Sequence, residues 1–240
     1  MAKPGVIAAL YVDDSKLYSA AQLVPDCVAV QESLLNMDDW TQRNNIQFNT
    51  TKCKDLTVTR KKQPLIYDYQ AQLERVTEEQ DLGVIVNNTL SWEKHVISVA
   101  AKANKLLGLL KRTCPLLTDV SVTRTLYLSL VKSQLCFGTQ VWSPRQHYLK
   151  AKIERVQRRA TRWILRTRVG ELSYRERLER LNLLPLVLDG QLKDLVFLVR
   201  SPKDGELLGL WGMIFQVSNI IFPYQNSGIR RKHCKELDTI

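Results

Sequence analysis

Two adjacent carboxylates, Asp13 and Asp14, stand between a short apolar run at residues 6–12 and a second one at 17–20. Apolar runs of this length around a polar turn predict a β-hairpin with both carboxylates at its tip. Carboxylate pairs can hold divalent metal ions for phosphoryl transfer, and Mg²⁺ prefers such hard oxygen ligands. Asp is also common in ordinary hairpin turns, because its side chain hydrogen-bonds to the nearby backbone. The four residues alone leave both interpretations open.

A second group of candidate residues lies on a helix predicted over 146–168, where arginines and apolar residues recur on opposite sides with helical period. Between residues 150 and 180 there are eleven Lys and Arg and four Asp and Glu, a local net charge of +7. An arginine face can bind phosphates bidentately. A solvated face is the alternative, although such faces usually alternate in sign. The predicted nucleic-acid-binding residues here are Arg155, Arg158, Arg159, Arg162 and Arg166.

A weaker basic helix is predicted over 92–112, opposite an apolar stripe that indicates a core-facing side. The whole chain of 240 residues carries a formal net charge of +11, which favours a polyanionic partner, either nucleic acid or an anionic membrane surface. The candidate nucleic-acid-binding residues on this helix are Lys102, Lys105, Lys111 and Arg112, and its apolar stripe comprises Val96, Val99, Ala103, Leu106 and Leu110.

The elements that must position these residues change character along the chain. Short β-like runs are predicted at 46–48, 56–59, 65–69 and 82–86, after a helix over 25–43 whose Val28, Leu34, Leu35 and Trp40 can share one face. Further helices are predicted over 119–136, 173–181 and 186–200. The helix at 173 begins with a capping box, Ser173 and Glu176. The fold class is therefore α+β, with an α/β part over 1–90, a helical part over 91–200 and an unassigned tail over 201–240.

The sequence gives little indication of disulfides, of a zinc or histidine site, or of membrane insertion. The five cysteines show neither disulfide nor zinc spacing, and the three histidines, His95, His147 and His233, have no visible catalytic or metal partners. The most apolar segment, 207–222, is shorter than a bilayer span, and no signal peptide is visible. We therefore expect an intracellular protein, cytoplasmic or nuclear, that does not insert into a membrane.

The order of the motifs resembles one family, the reverse transcriptases of LINE-type (non-long-terminal-repeat, jockey-like) retrotransposons. Tyr-Val-Asp-Asp at 11–14 resembles its Asp-Asp box. Asn-Ile-Gln-Phe-Asn-Thr-Thr-Lys-Cys at 45–53 resembles the next palm block, and Asp-Leu-Gly-Val-Ile-Val at 81–86 resembles the primer-grip block. The segments at 95–112, 127–131, 141–144, 153–161 and 174–178 resemble the thumb and the region just beyond it. The resemblance covers about residues 7–200.

The resemblance implies an RNA-directed DNA polymerase fold, with a partial palm followed by a helical thumb and extension. Asp13 would be a Mg²⁺ ligand and Asp14 would support the same site. Lys52 would lie near the phosphates of the incoming nucleotide as a candidate general acid. Leu82 and Gly83 would seat the primer strand, and the thumb helices would track RNA or an RNA–DNA hybrid.

The sequence also departs from the family pattern. In the family, the fingers and the first metal-binding aspartate precede the Asp-Asp box, but only ten residues precede Tyr11 here. We therefore expect an incomplete metal site and no polymerisation by this chain alone, unless a partner chain supplies the fingers and the rest of the palm. A binding module without catalysis and a non-functional retrotransposon relic are the alternatives.

Overall fold

The computed structural model describes residues 3–11, 14–46, 48–59, 61, 67, 69 and 73–200. These residues form two compact units, one from residues up to 55 together with 59–76, the other from 56–58 and 77–200. The described part of the chain is α+β, as predicted. The change in sequence character near residue 90 lies later than the division between the units near residue 76. The predicted tail over 201–240 lies outside the described residues.

The first unit is built on an antiparallel hairpin of β1 (Val6–Tyr11) and β2 (Asp14–Ser19). Tyr11 pairs with Asp14 as the last pair of the register, so the predicted hairpin is confirmed. A helix, α1 (Val24–Arg43), follows and contacts both strands. A 3-10 turn (Thr50–Lys52) and a short parallel pair, β3 (Lys54–Asp55) with β4 (Glu74–Arg75), complete the elements described in this unit.

Helix α1 has nearly the predicted bounds, and of the four apolar residues that can share one face only Leu34 is half-buried. Val28, Leu35 and Trp40 are exposed, whereas the buried positions include Cys27 and Gln31. The helix starts where Asp26 accepts hydrogen bonds from the N–H groups of Gln22 and Leu23, which also lowers the pKa of that carboxyl. The buried positions of α1 depend on what packs on the helix, which includes both strands of the hairpin and the Tyr69 side chain at Cys27.

The second unit begins with the antiparallel hairpin β5 (Glu78–Asp81) and β6 (Val84–Asn87). Eight helical elements or turns follow, most with bounds within a few residues of the prediction. They are α2 (Glu93–Thr113), α3 (Val120–Leu126), a π-helical segment (Tyr127–Lys132), α4 (Ser133–Cys136), α5 (Thr139–Trp142), α6 (His147–Ile164), α7 (Tyr174–Arg180) and α8 (Leu186–Arg200).

The core of the second unit joins the hairpin to the helices. Val84 and Val86 of β6 pack with the buried faces of α2 and α6. In α2 the buried residues are His95, Val96, Ala100, Ala103, Leu107 and Leu110, so Val99 and Leu106 of the predicted stripe are only partly buried. In α6 they are Leu149, Ile153, Val156, Gln157, Ala160, Thr161 and Ile164. The β5–β6 hairpin therefore belongs to the helical core, although the sequence grouped it with the first part.

The helix predicted over 119–136 is interrupted by wider turns. Asp119 caps its start by accepting hydrogen bonds from Ser121 N and Val122 N. Tyr127 and Val131 of the π-helical segment are both fully buried. Such turns are rare and must be stabilised by their surroundings. Here Tyr127 is stabilised through its hydroxyl, which donates to Gln157 Oε1 on α6 at 2.6 Å.

The prediction of short strands was less accurate. Residues 46, 48 and 56–59 form no strand, and β3 ends at Asp55, just before the predicted run at 56–59. The run at 65–69 lies mostly outside the described residues. None of the described helices is both long enough and apolar enough to cross a bilayer.

Candidate nucleic-acid interface

Of the two carboxylates predicted at the hairpin tip, only Asp14 belongs to the described residues. Asp14 is exposed and pairs with Tyr11 at the end of the ribbon, and Asp13 lies outside the described residues. Over the described part of the chain, no three His, Cys, Asp or Glu side chains come close enough to hold a metal ion. The described carboxylates at the hairpin do not fit a Mg²⁺ site by themselves.

Two further predicted residues of the polymerase type lie in turns. Lys52 is exposed at the end of the 3-10 turn. Leu82 and Gly83 form the two-residue turn between β5 and β6, with φ angles of 46° and 86°. Positive φ at both positions is the geometry of a type I′ hairpin turn. A Cβ on Gly83 would stand 3.3 Å from Phe137 Cε1, so the turn also approaches the helices closely.

Lys111 of α2 and three arginines of α6 meet at an open groove. Its walls are the last turns of α2, one face of α6 and the turn that follows α6. Three of the five predicted arginines, Arg155, Arg159 and Arg162, line it together with Lys111. The remaining lining residues are Trp163, Thr167, Arg168 and Val169.

The cations of this groove lack acidic partners among the described residues. Arg159 donates to the neutral amide oxygen of Asn104 at 3.1 Å, and Arg162 donates to the Arg158 carbonyl at 3.3 Å. The resolved ion pairs of the chain involve other basic residues. Burial, with Arg159 and Arg162 nearby, lowers the pKa of Lys111 below its usual range. One carboxylate lies close to this group, because Glu171 accepts a hydrogen bond from Arg168 N at 2.8 Å, but these ion pairs leave the groove cations free to bind several phosphate oxygens at once.

The other two predicted arginines of this region have different surroundings. Arg158 lies over the ring of Tyr174, with its guanidinium carbon 4.4 Å from the ring centre. Arg166 lies past the end of the helix, because α6 ends at Ile164 and not near 168 as predicted. Its φ is 51°, and its guanidinium donates to the carbonyls of Pro115 and Leu117 at 3.1 and 2.7 Å.

The chain turns at Arg166 through a hydrogen-bonded helix end. Thr167 N donates to Arg162 O and Arg166 N donates to Trp163 O, the double pattern of a Schellman motif. Glycine is usual at its left-handed position. The hydrogen bonds of the Arg166 side chain to the α2–α3 connection offset the strain of a non-glycine residue there. The turn consequently places Thr167, Arg168 and Val169 beside the groove.

The remaining predicted residues of α2 are exposed but lie outside the groove lining. Lys102, Lys105 and Arg112 are on the solvent side of that helix. Trp163 and Arg168 line the groove but were not predicted as site residues. Because Trp163 lies on the apolar side of α6, the sequence pattern predicts it as a core residue. Arg168 follows a chain reversal that the helical pattern conceals.

A buried polar network fixes the rotation of α6 beneath this surface. Gln157 donates to the Tyr174 hydroxyl at 3.0 Å and to Leu184 O at 2.8 Å. Tyr174 in turn donates to Glu154, which also accepts from Leu186 N. Burial, followed by the hydrogen bond to Glu154, raises the pKa of Tyr174, so it stays protonated as a donor. Because Arg158 lies over the Tyr174 ring, the network also determines the position of this guanidinium.

Comparisons with known proteins find two curated relatives. Over 183 residues the chain is 26% identical to the "RNA-directed DNA polymerase from mobile element jockey" of Drosophila funebris, covering 70% of this chain and 20% of that protein. Over 141 residues it is 24% identical to the "Probable RNA-directed DNA polymerase from transposon X-element" of Drosophila melanogaster, covering 56% of this chain and 15% of that protein. No family model and no solved structure matches. These two matches confirm the resemblance that the motifs indicate, and the chain is similar to part of the RNA-directed DNA polymerases of LINE-type retrotransposons.

Proposed function

We propose that this chain is the nucleic-acid-holding part of a retrotransposon reverse transcriptase, whose helical unit grips RNA or an RNA–DNA hybrid through the phosphate backbone. The observation that carries the proposal is the groove whose cations have no acidic partner among the described residues. The cations are Lys111, Arg155, Arg159, Arg162 and Arg168. The helical unit would then be the thumb and its extension, and the unit before it a partial palm.

Phosphate binding accounts for the charge arrangement better than solvation alone. Like charges gathered on one surface repel each other, and the lowered pKa of Lys111 is one consequence of burial and of that repulsion. A phosphodiester backbone relieves the repulsion and releases its own condensed counterions on binding. Because phosphates carry no sequence information, such contacts hold RNA and hybrid in register without selecting a sequence.

A salt titration of the purified chain tests the proposal. Binding to an RNA–DNA hybrid should weaken with a log–log slope of about −0.7 to −0.9 per phosphate contact. Changing Arg155, Arg159 and Arg162 together to Gln should weaken binding and make the slope less negative by roughly 2 to 3. The matched control changes Arg43, Lys94 and Arg175 to Gln, because each of these cations has a carboxylate partner. The control removes the same charge and should bind almost as the unaltered chain does.

Equal losses in the two triple variants would show that only net charge matters and would overturn the assignment of the groove. An unchanged slope in the groove variant would do the same. The relic alternative predicts a poorly folded product, so cooperative unfolding of the unaltered chain would count against it.

Polymerisation is the second candidate function, and the hairpin register favours it. Tyr11 pairs with Asp14 as the last pair of the ribbon, so Asp14 stands at the end of the hairpin, where the resemblance to the family implies metal-binding carboxylates. With Mg²⁺ as cofactor and Asp13, Asp14 and Lys52 as its catalytic residues, activity would need further carboxylates, for which we propose a partner chain that supplies the fingers and the rest of the palm. Primer extension on an RNA template, with Mg²⁺ or Mn²⁺ and beside Asp13→Asn, tests this. Extension by the chain alone that is lost in Asp13→Asn would overturn the need for a partner.

A further inference from the structure

The groove contains an aromatic side chain that phosphate binding does not require. Trp163 packs in part against the core and also lines the groove, among Lys111, Arg159 and Arg162. Beside it, Val169 is 85% exposed. A surface that only follows a duplex backbone needs cations and donors, whereas aromatic side chains among cations are typical of surfaces on which unpaired bases stack.

The turn after α6 makes the far wall of this groove, and that wall is firmly attached. The Arg166 side chain bridges to the connection between α2 and α3 through two hydrogen bonds of 3.1 and 2.7 Å. The Schellman bonds fix the backbone of the same turn to the end of α6. Trp163 and its neighbours are therefore positioned before a ligand binds, which lowers the entropic cost of ordering these side chains on binding.

We propose that the groove binds single-stranded nucleic acid, with phosphates on Lys111, Arg155, Arg159, Arg162 and Arg168 and an unpaired base stacked on Trp163. Bases inside a duplex are already stacked on each other and paired, so their faces cannot reach an indole in a groove wall. Only a single strand, such as a template that has not been copied or a displaced end, offers phosphates and a free base face together. The inference rests on the proposed function, because it names the form of nucleic acid that the same cations hold.

The unaltered chain provides the first test. We expect it to bind a single-stranded oligouridylate more tightly than an RNA–DNA hybrid with the same number of phosphates, and we expect the single strand to quench tryptophan fluorescence. The opposite preference would overturn the inference. This measurement does not depend on any substitution being tolerated by the fold.

Substitution of the indole provides the second test. Trp163→Leu should lower affinity for the single strand by roughly 5- to 100-fold, the cost of one lost base–aromatic stack, with the salt slope and the hybrid affinity unchanged. Trp163→Phe should retain most of the affinity, because a ring remains. Trp40→Leu is the matched control, since Trp40 is 53% exposed on α1 in the other unit. Circular dichroism of each variant verifies folding.

The outcomes separate this inference from the proposed function. If Trp163→Leu binds the single strand as tightly as the unaltered chain, or loses single strand and hybrid equally, stacking is refuted. The groove arginine variant then decides the proposed function by itself. If neither the arginine variant nor Trp163→Leu changes binding, both ideas fail together.

Discussion

Gln157 of α6 is the centre of the buried polar network, and its replacement by leucine should destabilise the helical unit strongly. The side chain is fully buried and makes three hydrogen bonds, to the hydroxyls of Tyr127 and Tyr174 and to Leu184 O. Leucine has similar size, so the main change is the loss of these bonds. The Tyr127 hydroxyl is itself fully buried, and it has no second hydrogen-bond partner among the residues that the structure describes.

The three hydrogen bonds that Gln157→Leu removes differ in how much their loss lowers the free energy of unfolding. Stranding the Tyr127 hydroxyl costs about 1–3 kcal/mol, while the other two acceptors lose about 0.5–1 kcal/mol each, because Tyr174 keeps its bond to Glu154 and Leu184 is partly exposed. We therefore expect Gln157→Leu to lower the free energy of unfolding by roughly 2–5 kcal/mol. Tyr127→Phe alone should lower it by about 1–2 kcal/mol, since it leaves Gln157 Oε1 without a donor.

The double variant gives the sharper test. Once Gln157 is Leu, removing the Tyr127 hydroxyl no longer breaks a bond and instead removes a stranded donor. The two effects should then fall short of additivity by at least about 2 kcal/mol, because the cost of breaking the bond disappears and the cost of the stranded hydroxyl is recovered. Urea unfolding followed by the helical circular dichroism signal measures all four proteins of the cycle. Additivity within about 0.5 kcal/mol would refute the hydrogen bond between these side chains as a determinant of how α6 packs on the π-helical segment.

Two other predictions concern the β5–β6 hairpin and its contacts. Gly83→Ala should destabilise the helical unit by about 1–2 kcal/mol, because φ is 86° and the new Cβ would crowd Phe137. As the control, Gly190→Ala in α8 meets no neighbour and should be neutral or stabilising by up to about 1 kcal/mol. Equal urea midpoints for the two variants would contradict this reasoning. Burial lowers the pKa of His95 to about 4, so the folded state resists protonation of a group that titrates near 6.5 when unfolded. The free energy of unfolding should have its full value above pH 6.5 and should fall by up to about 3 kcal/mol as the pH drops from 6.5 towards 4. His95→Asn, whose Oδ1 can accept the Ile85 N–H bond now made to Nδ1, should lose this part of the pH dependence, and parallel profiles of the two proteins would contradict the assignment.

The helical periodicity predicts most of the second unit because local signals and packing agree there. In α6, Ile153, Val156, Ala160 and Ile164 are all buried, as their spacing predicts. In α7 the capping box forms, with Glu176 accepting from Ser173 N at 2.6 Å and the serine hydroxyl accepting from Glu176 N at 3.2 Å. These features depend on residues three or four positions apart, so the sequence alone contains them.

The predictions fail where distant residues decide the outcome. The face of α1 that looks apolar is exposed, because the buried stripe depends on what covers the helix and not on the helix itself. His95 has no visible partner in the sequence, yet it is buried, lies edge-on to Trp142 with ring centres 4.8 Å apart, and accepts the Ile85 N–H. In both cases the decisive contact comes from another element, which helical spacing cannot reveal.

The groove depends both on local helical spacing and on contacts between residues that are distant in the sequence. The spacing of Arg155, Arg159 and Arg162 along α6 follows from the sequence, but the groove exists only because the helix stops at Ile164 and the chain turns back. That turn places a non-glycine residue, Arg166, at a left-handed position, and its side chain reaches two carbonyls about fifty positions earlier in the chain. A helix continued to residue 168, as its charge pattern predicts, would place Arg166 and Arg168 on the helix itself and remove the far wall. The end of α6 therefore converts a basic helix face into a concave surface, and Trp163, one residue before that end, is where a base can meet it.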